Sequence, residues 1–149
     1  MDGAALNLFE REHQRIDALL QAHLLDVVAG DFKSARRRLA RWRLALARHI
    51  EIEQTHLLPH LPEGARWGAR VYRLEHERIT LLADEYAERV QAATAHAPQG
   101  RQARRHAVLN LLDAAHALRH LLEHHHQREE MALAQELPAA LQAKAWAPG

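Results

Sequence analysis

Residues 35–56 read ARRRLARWRLALARHIEIEQTH. Within them Ala35, Leu39, Trp42 and Leu46 recur at three- and four-residue steps, the mark of one buried face of an α-helix. Carried forward, the same steps meet His49, Glu53 and His56 rather than further apolar residues. Polar groups at core positions are costly unless they are paired. This stretch therefore predicts both a helix and a reason for burying imidazoles and carboxylates along it.

Three other segments repeat the arrangement. Breaks at Gly30-Asp31, at Pro59–Gly64, at His96–Gly100 and at Pro138 divide the chain. The first helix is expected over about 4–29, with Leu6, Phe9, Ile16, Leu20, Leu24 and Val27 in phase and His13 filling the gap. The second covers about 32–58. The third covers about 65–95, with Ala69, Tyr72, Ile79, Ala83, Tyr86 and Val90 in phase and His76 among them. The fourth covers about 101–135, where Val108, Leu111, Ala115, Leu118 and Leu122 lead into His125, Glu129 and Ala132. A short C-terminal helix is expected from Pro138, a residue suited to a first helical position. Short breaks between long helices favour antiparallel neighbours, so the expected fold is a single all-α domain, an up-down-up-down antiparallel four-helix bundle. In that topology His13 and His76 lie at the same end as His49/Glu53 and His125/Glu129, and the six can converge on one buried point.

Composition agrees with helix. The 149 residues are 48% apolar and only 5% aromatic, and β-branched residues are few. Twenty basic and nineteen acidic side chains give a formal charge of +1, which favours neither nucleic acid nor an anionic membrane as partner. With no cysteine, disulfides, thiolate zinc sites and Cys-ligated iron–sulfur clusters are excluded. No apolar run has the length of a membrane span and no signal-like start is present, so a cytoplasmic protein is the default expectation. Thirteen histidines are many for this length, and histidine is the commonest metal ligand.

The spacing fits coordination. His49 and Glu53, like His125 and Glu129, stand four residues apart, on one helix face and about 6 Å apart along the axis. An imidazole and a carboxylate so placed can share one ion, and the carboxylate can reach a second. Two carboxylates can then bridge two ions at the roughly 3.5–4 Å typical of dinuclear sites. Mixed histidine and carboxylate donors suit iron or manganese better than calcium, and zinc or copper would also bind.

These residues resemble the hemerythrin-like, or HHE cation-binding, family over most of the chain. That pattern has a lone histidine in the first helix, H-x-x-x-E in the second, a histidine in the third and H-x-x-x-E in the fourth. Here it falls on His13, His49–Glu53, His76 and His125–Glu129, with Pro59 ten residues after His49 as the family's second helix has it. The resemblance implies a non-haem centre of two irons per chain, oxo- or carboxylate-bridged, that binds O₂, NO or peroxide. The invertebrate oxygen carriers have a second histidine four residues from the first in the third helix, whereas this chain has Tyr72 and Thr80 at the flanking positions. His56, or failing it Tyr72, is therefore expected to complete the second ion's shell.

Storage, transport or sensing of O₂ is the leading functional reading. A di-iron enzyme acting on peroxide, NO or O₂ uses the same residues. A ferritin-like iron-handling bundle needs Glu-x-x-His pairs, which the chain offers at Glu10/His13, Glu53/His56 and Glu123/His126. Nothing in the sequence sets an oligomeric state. His116, His120 and His124 form a row on a solvated face, and the His126/Glu130 frame projects back onto Arg119 and Glu123 and so faces water. His23, His60, His96 and His106 are expected to be exposed, as are Arg36, Arg37, Arg38, Arg41 and Arg43.

Overall fold

A computed structural model describes residues 3–147, with side chains from residue 8 onward. Leu6, predicted to open the first stripe, lies outside the described side chains. The described chain is all-helical. Four long helices, α1 (Gly3–Val28), α2 (Phe32–Ile52), α3 (Ala69–Ala95) and α4 (Arg101–Arg128), pack around one apolar core. Two short helices follow, α5 (Ala134–Glu136) and α6 (Ala139–Ala145). The third helix starts four residues later than predicted, because 61–68 with Pro62, Gly64 and Gly68 forms an irregular connection. Pro138 caps α6 rather than beginning it.

The α1–α2 turn shows how local chemistry sets the packing. Gly30 has φ +75, a left-handed conformation that favours glycine. The Gly30 N–H donates to Val27 O at 2.9 Å and the Asp31 N–H to Asp26 O at 3.0 Å, which closes α1 with a Schellman motif. Asp31 then caps α2, its carboxylate accepting from the Ser34 N–H at 3.1 Å. Two helices thus end and begin within three residues, and α1 packs along α2. Gly30→Ala should cost about 1–2 kcal/mol, from the left-handed backbone. The new Cβ would also meet Arg104 Cδ at 2.8 Å, but that side chain is flexible and can step aside. Urea unfolding measures the loss, and an unchanged midpoint would contradict it.

The main core joins Ile16, Leu20, Leu24 and Val27 of α1 to the Leu39–Trp42–Leu46 face of α2. Ile79, Tyr86 and Val90 of α3, and Leu111, Leu118 and Leu122 of α4, complete it. A second apolar cluster of Phe9, Leu57, Leu58, Tyr72, Leu133, Ala134 and Leu137 lies beyond it. In every long helix the in-phase candidate ligands fall between the two clusters. His13 lies between Phe9 and Ile16, and His76 between Tyr72 and Ile79. The candidate ligands are therefore walled by hydrocarbon along the chain in both directions.

Three turns depart from α geometry, one of them the 3₁₀ turn Leu58–His60. Residues Glu53–Leu57 and Glu129–Leu133 form π turns, in which Leu58 N–H reaches Glu53 O and Ala134 N–H reaches Glu129 O. Each begins on one of the two in-phase glutamates. Such single-turn bulges recur at functional sites. Among the described residues, no helix is long and apolar enough to cross a membrane. The arginines of α2 are exposed as predicted, Arg38 pairing with Asp26 at 2.7 Å and Arg43 with Asp84.

Candidate metal centre

His13, His49, Glu53, His76, His125 and Glu129 come together, and all six are buried. They form two four-residue groups that share both glutamates: His13, His49, Glu53 and Glu129, and Glu53, His76, His125 and Glu129. Each carboxylate divides its oxygens between them. Glu129 Oε1 stands 2.9 Å from His13 Nε2 and 3.8 Å from His49 Nε2, while its Oε2 stands 3.0 Å from His125 Nε2 and 3.5 Å from His76 Nε2. Glu53 Oε2 lies 2.9 Å from His49 Nε2 and Glu53 Oε1 lies 2.8 Å from His76 Nε2. All four histidines therefore present Nε2 inward.

Hydrogen bonding does not account for this convergence. Both Glu53 oxygens, Glu129 Oε2, His49 Nε2 and His76 Nε2 are buried without a properly aligned hydrogen-bond partner despite these short distances. Buried polar atoms are rarely left so. Donor atoms that crowd together while misaligned for N–H···O bonds fit shared cations. Two imidazole nitrogens and two carboxylate oxygens per group are a donor set for a borderline transition metal, and the buried His/Glu groups could hold metal ions.

The outward nitrogens are held in sequence around the helices. Gln54 Oε1 lies 3.0 Å from His76 Nδ1, Glu75 Oε1 2.9 Å from His125 Nδ1, and Glu130 Oε2 2.6 Å from His13 Nδ1. Each supporting residue is the sequence neighbour of a ligand on an adjoining helix. Such partners fix ring orientation and raise ligand basicity. Glu75 is itself anchored by Arg128 Nε at 3.0 Å. The ring has one gap, since His49 Nδ1 has no hydrogen-bond partner. There Trp146, just past α6, stacks on the His49 ring at 4.6 Å between centroids, and Phe9 meets Trp146 edge-on. Gln142 fastens α6 by donating from Nε2 to Ala134 O at 2.8 Å and Leu137 O at 3.0 Å.

Charge follows from this geometry. Burial works against a charged His49 and a charged His125, but the adjoining carboxylates prevail and push both pKa values up to about 10. His13 and His76 are raised by the same opposition, burial being outweighed by Glu129 with Glu130 for the first and by Glu129 with Glu53 for the second. Burial would raise Glu129, yet the surrounding imidazoles hold it well below the usual carboxylate range.

Several expectations need correction. His56 is exposed and belongs to neither group. The π turn that starts at Glu53 widens the helix and carries His56 away from the core while bringing Leu57 in. Tyr72 is buried among Phe9, Leu57 and Leu133 with its hydroxyl unpartnered. Burial first, then Glu136 and Glu129, raise its pKa, so it keeps its proton. His126 is buried, stacked on the His13 ring at 3.9 Å, because α1 covers that edge of α4. Glu130 turns inward to His13 rather than to water. His23 is fully buried: its Nδ1–H donates to Ala35 O at 2.6 Å, which leaves Nε2 to accept from the Tyr86 hydroxyl at 2.6 Å. The steps Ile16, Leu20, His23, Val27 were in phase and could have placed it. The ferritin-like pairs do not assemble, since Glu10, His56 and Glu123 are all exposed.

Comparison with protein-family models, with curated proteins and with solved structures gives no match to this chain.

Proposed function

We propose that the chain is a hemerythrin-like, non-haem di-iron protein, an up-down-up-down antiparallel four-helix bundle that binds O₂ or a related small molecule. The observation that carries this reading is the sharing of Glu53 and Glu129 between two buried groups, each carboxylate giving one oxygen to each group. The contact of His13 with His49 near one end, and the bond of His23 to Ala35 further along the same two helices, support antiparallel packing. His49 and Glu53 with His13 would hold one iron, and His76 and His125 the other, Glu53 and Glu129 serving both. Bound iron would supply the change of oxidation state on which binding of O₂ or NO depends. Four protein donors per ion leave open positions on a metal that prefers octahedral coordination. Phe9, Trp146 and the second apolar cluster cover one end of the site with hydrocarbon, so on that side a small uncharged ligand suits it better than a large polar one. A second reading, turnover of peroxide, NO or O₂, is favoured by the buried, proton-bearing Tyr72 hydroxyl.

Elemental analysis of tag-free protein produced with iron should give about two irons per chain and an iron-dependent visible spectrum in air. Chelation should lower the melting temperature, because metal bound only by the folded chain stabilises it. Well-folded protein without metal, or equal melting with and without stoichiometric iron, would overturn the reading. Zinc in place of iron would keep the centre and remove the O₂ chemistry.

A further inference from the structure

A cavity of about 580 Å³ runs along the seam between α1 and α4. Its wall includes His13, the candidate ligand on α1. Two other cavities, between α2 and α3, are lined by none of the six candidate ligands. The polar lining of the α1–α4 cavity is chemically biased. Glu10, Asp17, Glu123 and Glu130 contribute four carboxylates, against Arg119 alone as a guanidinium. His116, His120 and His126 add imidazoles. An anion would be repelled by such walls. A cation that accepts oxygen and imidazole nitrogen is the species they suit.

The groups are graded in depth. His120 and Glu123 are exposed, Asp17 is 55% exposed, Glu130 29%, His126 5% and His13 2%. At the rim, His124 on the same helix brings its Nε2 to 3.1 Å from His120 Nε2, a pair able to converge on one ion. At the inner end, His126 is buried yet makes no hydrogen bond among the described residues. Its nearest carboxylate, Asp17, stands 3.6 Å from Nδ1. A buried imidazole left unbonded on the wall of a carboxylate-lined channel is a donor available to a passing ion.

We propose that this groove is the route by which a divalent transition-metal ion reaches the centre. His120, His124 and Glu123 receive the ion at the rim, Asp17 and Glu130 draw it inward, and His126 passes it to His13. The inference rests on the metal-centre reading above and extends it from where the ion is held to how it arrives.

The test uses Co²⁺ as probe, mixed with the metal-free full chain in a stopped flow and followed by its visible absorption. Asp17→Asn combined with Glu123→Gln removes two charges from the route without touching the six candidate ligands. Loading should slow about tenfold and lose most of its dependence on salt, since carboxylate-lined clefts raise cation on-rates by about 10–10³. The final cobalt content should be unchanged. Asp84→Asn combined with Glu88→Gln, on the α2–α3 side, removes the same charge elsewhere and should load at the wild-type rate. His120→Ala combined with His124→Ala should slow the early phase alone. Equal rates for the wild type and the Asp17/Glu123 variant would overturn the route and leave the centre standing. Equal slowing by the Asp84/Glu88 variant would also overturn it, by reducing the effect to net charge. A wild-type chain that takes up no cobalt would overturn the centre itself, and the route with it.

Discussion

Glu129→Ala is expected to reduce metal content from about two ions per chain to at most one, whereas Glu130→Ala keeps both. Glu129 is fully buried and touches all four imidazoles, one oxygen facing each pair. Its loss removes a donor from both groups at once, and Glu53 alone is left to serve two ions. Breaking a buried charge pair in this way also costs about 3–5 kcal/mol, so the metal-free fold should weaken as well. Glu129→Gln separates the two effects, because it preserves volume and loses charge. Glu130 has a different task. It holds His13 Nδ1 from outside, and removing such a partner typically costs roughly 10–100-fold in metal affinity without changing stoichiometry. Elemental analysis with competition titration reads both variants. A Glu129→Ala chain that still holds two ions would refute the shared-carboxylate arrangement.

Metal uptake near pH 7 should release at least two protons per chain, and affinity should fall as pH falls. His49 and His125 have pKa values pushed up to about 10, so both are protonated near neutrality and must give up their protons to become ligands. Below that pKa each displaced proton costs a factor of about ten per pH unit, hence about a hundredfold for two. The metal-free chain moves the other way. A histidine raised in the folded state contributes stability that is complete below its ordinary pKa of about 6.5 and is lost as pH rises through the folded value. Metal-free protein should therefore lose stability between about pH 6.5 and 10 while metal binding strengthens, so the melting gap between the two forms widens with pH. Indicator-dye measurements during loading count the protons. Uptake with no proton release would mean that the imidazoles are neutral before metal arrives.

The six central residues were legible because each interrupts an apolar stripe at the step where a core residue belongs. That signal is local, and helical phase alone carries it. What surrounds them was less legible. Gln54, Glu75 and Glu130 each support a histidine on another helix, and no periodicity within one helix reveals a contact between two. His126 was misplaced because projecting its frame along α4 ignores α1, which covers that edge of the helix end. His56 was misplaced because a π turn leaves no mark in the letters around it: the four-residue step from Glu53 still lands on Leu57, and only the wider winding moves His56 outward. Trp146 follows a seven-residue helix, too short for a stripe to be read, so its place over His49 emerged only with the fold.

The paired π turns also bear on which changes of chain length the molecule can absorb. A connection such as 96–100 lies between helices, and a residue gained or lost there falls in a loop. A residue deleted within 54–57 or 130–133 would let the α ladder close and satisfy the backbone more simply. It would also turn everything beyond by about 100° relative to the glutamate. Leu57 and Leu58, or Ala132 and Leu133, would leave the core, or the carboxylate would leave the centre. At these two places the number of residues, more than their identity, is what must be kept.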